Sequence, residues 1–307
     1  MKIAAFDNWR VGVVKGSVIL DITDLVPGWE PEWPFSWMLK FIERFDAIRP
    51  QIAQHLERAP RRSLSDVRLR PPIPAPSKII AAPVNYRLHQ HEMGGAKGVY
   101  QDANIKTIEH YGIFLKPPSA IVGTGETITL PFAGRRTDHE AEVGVIIGKT
   151  VKNVVESEAD QAIFGITGLL DLSVRGQEDR PFRKGFDGFC PIGPVVLTRD
   201  EIPDLEHIAF HLRVNGITRQ QGNTKDMIYS IRRLVSLASY QTTLHPGDII
   251  ASGTPEGVGE VKAGDRLELT VDGVGTLVTL VHESYADPPS NMGEWFNKFL
   301  ISRGAPA

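Results

Sequence analysis

The sequence predicts a β-rich α+β fold, and three observations indicate it. Gly and Pro are frequent, with 29 and 22 residues in a chain of 307. Short strand-like segments separated by turn residues recur along the chain, whereas long helical repeats are rare. Hydrophobic residues make up 41% of the chain, which is enough apolar side chain to fill a sizeable core. The length is typical of about two domains.

The N-terminal region is expected to form a small α/β domain of its own, residues 1–70. Three short strands are predicted within residues 2–21, and apolar residues at helical spacing predict a helix over residues 36–57. Four prolines follow within Pro71–Pro76, and such a run excludes a helix or a central strand. Residues 71–77 are therefore predicted to be an extended linker between two domains.

The larger domain is expected to span residues 78–283 and to consist mainly of strands. Asn215-Gly216 is a strong two-residue turn signal and predicts a hairpin. Residues 226–238 are expected to form an amphipathic helix, and residues 104–112 are expected to be irregular. The tail, residues 284–307, is predicted to contain a helix. Strands are predicted at 78–82, 113–116, 127–130, 141–149, 164–172, 207–214, 217–221, 248–252, 266–271 and 275–282.

Composition argues against several classes of protein. The net charge is −3 and the basic residues form no stripe, which argues against a nucleic-acid binder. No segment approaches the 18 apolar residues of a membrane span, and the N-terminus lacks a signal-peptide pattern. The one cysteine, Cys190, excludes an internal disulfide and a cysteine-based zinc site. These features favour a cytoplasmic protein without membrane or nucleic-acid partners.

Two glutamates open a strand-like segment and are the first candidates for chemistry. Side chains at i and i+2 of a strand face the same way, so Glu140 and Glu142 are expected to converge. Asp171 ends an apolar run, where a carboxylate needs a partner or an ion. Three carboxylates from two strands would suit Mg²⁺, Mn²⁺ or Ca²⁺. A solvated strand face and a turn aspartate remain the alternatives.

A histidine and a glutamate three residues apart form the second candidate. On one helical turn, His89 and Glu92 share a face, which is the usual arrangement for a base that activates water. Gly94, Gly95 and the polar residues after them are expected to form a mobile lid. An exposed histidine in a surface loop is the alternative.

Two lysines and a glycine-rich loop complete the candidates. Lys116 and Lys184 lie in apolar, turn-rich segments, where either is expected to pair with a metal-binding or substrate carboxylate unless it is simply a surface lysine. The loop 252–259 follows a strand but lacks the Gly-Lys-Ser/Thr ending of a phosphate loop. A backbone cradle for a small carboxylate fits it better.

Taken together, these segments resemble the fumarylacetoacetate hydrolase family. The similarity covers roughly residues 78–283, and seven segments match in order. The resemblance implies a mixed β-sandwich roll as catalytic domain, usually in a homodimer, with a bound Mg²⁺ or Mn²⁺ ion (or Ca²⁺ in a crystal). The matching segments are Asn85–Met93, Phe114–Pro117, His139–Lys149, Gly168–Arg175, Lys184–Pro194, Val214–Gly222 and Asp248–Val258.

The resemblance also implies roles for individual residues. Glu140, Glu142 and Asp171 match the metal ligands of the family, and His89 and Glu92 match its water-activating pair on a lid.

Further matches lie beside the metal or near the substrate. Lys184 matches the lysine that lies beside the metal, and Lys116 matches a basic residue near the site. Arg175 and Thr254 match contacts to the substrate carboxylate. One segment departs from the family pattern of Arg-Asp-x-Gln, because it reads Arg-Gly-Gln-Glu at positions 175–178. Glu178 thus replaces the usual substrate-contacting glutamine, and a local shift would let Gln177 take over that contact.

The expected reaction is cleavage of the C–C bond of a 2,4-dioxo acid, an acylpyruvate or fumarylpyruvate, through a metal-stabilised pyruvate enolate. The same enolate arises in decarboxylation of oxaloacetate or isomerisation of a 2-hydroxy-diene-dioate. The His89–Glu92 pair favours hydrolysis, since decarboxylation needs no water nucleophile. A protein that binds a metal and a 2-oxo acid without turnover is the remaining alternative.

Overall fold

The structure of the chain is a computed structural model, and it describes residues 1–94, 104–132, 134–282 and 293–294. The helices named here are α1 (Ser36–His55), α2 (Arg87–Met93), α3 (Ile108–Tyr111), α4 (Arg180–Lys184) and α5 (Ile231–Gln241). Short 3₁₀ turns lie at Thr23–Leu25, Leu64–Asp66, Pro118–Ala120, Glu156–Ala162, Arg199–Glu201 and Thr224–Asp226. None of the helices in these ranges is long and apolar enough to cross a membrane.

Strands make up most of the remaining regular structure. The N-terminal strands are β1 (Lys2–Phe6), β2 (Arg10–Lys15), β3 (Val18–Asp21), β4 (Arg61–Ser63) and β5 (Leu69–Arg70). The next strands are β6 (Ile79–Ala81), β7 (Phe114–Lys116), β8 (Ile121–Val122), β9 (Thr127–Thr129), β10 (Thr137–His139), β11 (Ala141–Ile147) and β12 (Ile163–Leu170). The last strands are β13 (Ser173–Val174), β14 (Cys190–Thr198), β15 (Ala209–Val214), β16 (Ile217–Asn223), β17 (Ile249–Ala251), β18 (Gly259–Glu260), β19 (Arg266–Val271) and β20 (Gly275–His282).

These strands form three sheets. The largest has 12 strands in the order β4-β3-β2-β1-β14-β12-β11-β17-β6-β7, with β5 beside β1 and β8 beside β14. A five-stranded sheet has the order β16-β15-β19-β20-β9, and a three-stranded sheet the order β13-β10-β18. The β-rich α+β fold that the sequence predicts is therefore confirmed.

Two hydrophobic cores lie on opposite faces of the large sheet. Because side chains alternate along a strand, Val143 and Val145 of β11 pack in one core, and Ile146 packs in the other. The first core includes Leu212 and Leu269 of the five-stranded sheet. The second core includes the apolar face of α1, with Phe45 among its residues. Burial on both faces explains why β11 and β12 are mostly apolar.

The large sheet contains strands from both before and after the proline-rich segment. In β1, Lys2 pairs with Leu197 and Ile3 with Val196 of β14, so N-terminal strands hydrogen-bond to the predicted larger domain. The division into domains at residues 71–77 stays a prediction. The predicted tail helix lies outside the described residues, apart from positions 293 and 294.

The structure corrects two predictions of local structure. The helix expected over residues 226–238 begins at Ile231, because the Ser230 hydroxyl caps it by accepting a hydrogen bond from Arg233 N at 3.2 Å. Residues 104–112 are not irregular throughout, since α3 forms one helical turn there. Helix α4 was not expected at all, because five residues are too few to establish a helical period.

Candidate active site

Three carboxylates converge where strands β11 and β12 meet. Ala141 pairs with Leu170, so Asp171, the next residue after β12, lies opposite Glu140. The backbone confirms this register, because Asp171 N donates to Glu140 O at 2.9 Å. Glu142 projects from β11 two residues after Glu140. All three side chains are buried, and one oxygen from each lies within 4.8 Å of the other two.

The three carboxylates differ in their electrostatic surroundings. Lys184 Nζ donates to Glu140 Oε2 and to Asp171 Oδ2, both at 2.7 Å. Burial raises the pKa of Glu140, but the charges of Lys184 and Arg175 outweigh burial and hold it below its usual range. Burial and the neighbouring Asp171 raise the pKa of Glu142 well above its usual value. Glu142 accepts a hydrogen bond from Gly253 N at 2.8 Å.

This donor set fits a divalent cation. Like charges held close together in a buried site are unfavourable unless a cation or a proton lies between them. Burial and the charge of Asp171 together raise the pKa of Glu142, and a cation would relieve the repulsion. Carboxylate oxygens are the ligands that Mg²⁺, Mn²⁺ and Ca²⁺ prefer. Glu140, Glu142 and Asp171 are therefore the residues that would hold such an ion.

The histidine–glutamate pair lies on helix α2. His89 is buried, and its Nδ1 lies 3.2 Å from Glu92 Oε2. Glu92 Oε1 accepts a hydrogen bond from Gly257 N at 2.9 Å, so the pair is fastened to the glycine-rich loop. The predicted lid continues into residues 95–103, which lie outside the described residues.

The carboxylates and His89 line one cavity of about 520 Å³, a volume that includes its open mouth. Arg175, Lys184 and Thr254 also line it. The resemblance implies a place beside the metal for Lys184 and substrate contacts for Arg175 and Thr254. Two arginines of α4, Arg180 and Arg183, were not anticipated. The other residues of the lining are Ala82, Pro83, Val84, Met93, Ile105 and Phe114.

Three residues expected at the substrate lie outside this lining. Lys116 is buried behind Asp171, where its Nζ donates to Asp171 Oδ1 at 2.6 Å and also to the backbone oxygen of Lys184. Glu178 accepts two hydrogen bonds at 2.8 Å from the guanidinium of Arg135. Gln177 is exposed to solvent. Their contact with substrate stays a prediction.

Arg175 is placed by two carboxylates. Its Nε donates to Asp138 Oδ2 and its Nη2 to Glu140 Oε1, each at 2.7 Å. Asp138 was missed in the sequence, although it lies two residues before Glu140, the spacing at which side chains of an extended segment point the same way.

Gln220 was also missed, and it joins three parts of the site. Its Oε1 accepts hydrogen bonds from Ala141 N at 3.0 Å and from His139 Nδ1 at 2.9 Å. Its Nε2 donates to Thr254 Oγ1 at 2.8 Å. Gln220 is 1% exposed, so its amide has no access to water. The polar run of β16 gives no hint of this burial.

The glycine-rich loop does not offer all its amides to a ligand. Gly253 N and Gly257 N bind Glu142 and Glu92, so these two amides serve the protein's own carboxylates rather than the predicted cradle. Gly253 has a φ of +92°, and a Cβ there would lie 2.7 Å from Asn85 Cβ. Cys190 is buried and burial raises its pKa to about 12, in agreement with a packing role.

The fold and this cavity define a divalent-metal-dependent enzyme. Residues 78–282 match the family model described as fumarylacetoacetate (FAA) hydrolase, C-terminal. The chain is 40% identical over 286 residues to maleylpyruvate hydrolase of Aquipseudomonas alcaligenes, covering 92% of this chain and 99% of that protein. The chain belongs to the fumarylacetoacetate hydrolase family.

Two further relatives extend this result. The crystal structure of maleylpyruvate hydrolase from Sphingobium sp. SYK-6, in complex with manganese(II) ion and pyruvate, superposes with a TM-score of 0.83. The two sequences are 40% identical, and the match covers 93% of this chain and 100% of the Sphingobium chain. Oxaloacetate tautomerase YisK of Bacillus subtilis is 38% identical over 228 residues, which are 70% of this chain and 73% of the tautomerase.

Proposed function

We propose that the chain hydrolyses the C–C bond of a 2,4-dioxo carboxylic acid to give pyruvate and a second acid. The observation that carries this proposal is the His89–Glu92 pair, at 3.2 Å, because His89 lines the same cavity as three buried carboxylates. Two relatives at 40% identity are named maleylpyruvate hydrolases, and one was solved with manganese(II) and pyruvate.

The chain's own residues have distinct tasks in this reaction. A Mg²⁺ or Mn²⁺ ion held by Glu140, Glu142 and Asp171 would supply Lewis acidity toward a carbonyl oxygen of the substrate. Glu92 holds Nδ1 of His89, which leaves Nε2 to take a proton from water.

The activated water then attacks the 4-oxo carbon of the substrate. The bond between C3 and C4 breaks, its electron pair forms the enolate of pyruvate, and a proton completes the product. Lys184 is the buried cation available to stabilise the developing negative charge. Arg175 and Thr254, on the cavity wall, are the proposed contacts of the substrate carboxylate.

The proposal is tested with purified protein, acylpyruvate substrates and His89→Ala. Removing a general base costs roughly 10²- to 10⁴-fold in rate, so hydrolysis is expected to fall by that factor. His207→Ala is a matched control, because His207 also pairs with an acid three residues away, Asp204 at 2.6 Å, but is 63% exposed. Acylpyruvate cleavage that survives His89→Ala, or complete metal removal with EDTA, would contradict the proposal.

A second function on the same cavity is tautomerisation or decarboxylation of oxaloacetate. The similarity to the oxaloacetate tautomerase favours this alternative. Neither reaction adds water, so oxaloacetate turnover faster than acylpyruvate cleavage would favour it. Calorimetry that detects 2-oxo acid binding without any product would instead favour a binding protein.

We further infer a homodimer in the cytoplasm as the working state. The support is the family membership. Light scattering of the purified chain tests the oligomeric state, and a monomer at micromolar concentration would contradict it.

A further inference from the structure

One arginine on the cavity wall has a charge that no described acidic residue neutralises. Arg175 and Lys184 both contact carboxylates of the protein at 2.7 Å. Arg180 is half-buried, and no described residue accepts a hydrogen bond from it or forms an ion pair with it. Glu178, two residues before Arg180, is not available as its ion-pair partner, because both carboxylate oxygens of Glu178 accept hydrogen bonds from Arg135.

The position of Arg180 is fixed by an aromatic ring. Its guanidinium carbon lies 4.1 Å from the centre of the Tyr111 ring, within the range of a cation–π interaction. When the flat face of a guanidinium lies against an aromatic ring, the N–H groups at its edge remain available to a carboxylate. Such an edge forms two parallel hydrogen bonds with a carboxylate, which also makes the contact directional.

Helix α4 sets the distance between Arg180 and the carboxylate cluster. Arg180 and Lys184 are four residues apart and share one helix face, about 5–6 Å apart at Cβ. Lys184 contacts Glu140 and Asp171, so Arg180 lies about one helical turn further along the wall. A ligand whose 2-oxo acid end lies at the cluster would reach Arg180 only with its opposite end.

We propose that Arg180 binds a second carboxylate at the far end of the substrate's acyl group. This inference rests on the proposed function and narrows its substrate class. The preferred substrate is a dicarboxylic 2,4-dioxo acid, with an acyl chain that ends in a carboxylate, as a maleyl or fumaryl group does. An acylpyruvate with a neutral tail, such as acetylpyruvate, leaves Arg180 without a partner and is the poorer substrate.

The test compares kcat/KM for fumarylpyruvate and acetylpyruvate in wild type and Arg180→Gln. A hydrogen-bonded charge contributes about 1.5–3 kcal/mol, so Arg180→Gln is expected to lower kcat/KM for fumarylpyruvate about 10- to 100-fold. The value for acetylpyruvate is expected to stay within about twofold, and the loss is expected mainly in KM, because the contact is the same in ground and transition states. Arg180→Glu is expected to reverse the preference, because it repels the second carboxylate.

Arg233→Gln is the matched control, since Arg233 also lies 4.1 Å from a tyrosine ring, that of Tyr229, but outside the cavity lining. It is expected to change neither value. Manganese binding measured by calorimetry checks that each variant is folded. An equal fall for both substrates in Arg180→Gln, or none for either, overturns the role of Arg180 while the hydrolase function stands. A wild-type protein that cleaves neither substrate overturns the proposed function, and this inference with it.

Discussion

Glu142 is the residue of the cluster that depends most on a bound cation. Glu140 contacts Lys184 and Arg175, whereas no described lysine or arginine lies within ion-pair distance of Glu142. Glu142 accepts a hydrogen bond from Gly253 N. An isolated buried carboxylate is costly, which is why burial and Asp171 raise its pKa. Retaining an acid at this position makes sense when a cation is present to balance it.

Replacing Glu142 with glutamine is expected to separate metal binding from stability. A folded-state pKa above the ordinary 4.5 means that Glu142 stabilises the metal-free fold only at low pH, and loses that contribution as the pH rises. In EDTA, Glu142→Gln is therefore expected to be at least as stable as wild type at pH 7. Manganese at 100 times Kd is expected to stabilise wild type by about 2.7 kcal/mol and the variant far less.

Urea denaturation with and without manganese measures both effects. Glu158→Gln removes an exposed glutamate and is expected to behave as wild type. An undiminished manganese effect in Glu142→Gln would argue against its role as a ligand.

Two pairs of site residues that the sequence predicts have short spacing along the chain. Glu140 and Glu142 are two apart on a strand, and His89 and Glu92 are three apart on a helix, so local geometry brings each pair together. Gln220 reaches the site through side-chain hydrogen bonds with Ala141 and His139, which are 79 and 81 residues away along the chain, and no local pattern encodes that. The sequence likewise does not show that Arg180 lacks an ion-pair partner among the described residues. That depends on tertiary contacts of nearby acids, such as the pairing of Glu178 with Arg135.

At the scale of elements, the loop after β17 connects the carboxylate cluster with the His89–Glu92 pair. Its amides bind Glu142 at Gly253 and Glu92 at Gly257. Asn85 fixes the same loop, because its Nδ2 donates to Ser252 O at 2.8 Å. The loop therefore sets the separation between the carboxylate cluster and helix α2.

Gly253→Ala is expected to disturb this loop, and Gly264→Ala provides a matched control. Both glycines have positive φ, +92° and +90°, so alanine is strained by a similar amount, about 1–2 kcal/mol, at either position. Only Gly253 also meets a neighbour, Asn85 Cβ at 2.7 Å, whereas Gly264 faces open space.

Urea denaturation gives the free energy of unfolding of both variants. The additional loss in Gly253→Ala relative to Gly264→Ala measures the cost of the steric contact with Asn85. Weaker manganese binding is expected in Gly253→Ala only, since the amide that holds Glu142 must move. Equal behaviour of the two variants would indicate that the loop is not constrained by Asn85.

Asp160 links three elements outside the cavity lining. Its carboxylate accepts hydrogen bonds from Arg232 of α5 at 2.8 and 3.1 Å and from Arg199 at 2.8 Å. Burial raises the pKa of Asp160, but the hydrogen bonds from these arginines outweigh it and lower the pKa below 3.8.

A depressed pKa makes Asp160 stabilising above pH 3.8, and that contribution is lost as the pH falls through the folded-state pKa. Asp160→Asn is expected to cost at most about 1 kcal/mol at pH 7, because a third of the side chain is exposed. Urea denaturation at pH 7 and near pH 3 is expected to show a difference that shrinks in acid. Asp46→Asn, 80% exposed, is the control, and a difference independent of pH would contradict the ion-pair explanation.

Most elements of the fold were also accessible from sequence, and the exceptions have physical reasons. Strands such as β19 and β20 alternate or are continuously apolar and end at turn residues, so the prediction matches their bounds. Helix α4 is too short for a period, and it forms because Phe182 packs against Phe132 and Phe186. Such short elements follow from tertiary contacts rather than from propensity.

At the scale of the molecule, the N-terminal region and the active-site strands share one sheet and one core. Phe45 of α1 packs edge-on against Phe164 of β12, with ring centres 5.0 Å apart. Strand β12 leads directly to Asp171, so the packing of α1 supports a strand that carries the site. The pairing of β1 with β14 adds backbone hydrogen bonds to this connection. We therefore expect residues 1–70 to unfold together with the rest of the described chain.

Phe45→Ala tests this coupling. Truncating a buried phenylalanine costs about 3–5 kcal/mol, and Phe45 is 4% exposed. If the sheet unfolds as one unit, circular dichroism and manganese binding are expected to report a single urea transition, shifted by the same amount in the variant. Tyr240→Ala, which removes an aromatic ring that is 75% exposed, is expected to leave the midpoint nearly unchanged. Two separate transitions, with manganese binding retained after the first, would instead mean that residues 1–70 form an independent domain and that the boundary at residues 71–77 is a true one.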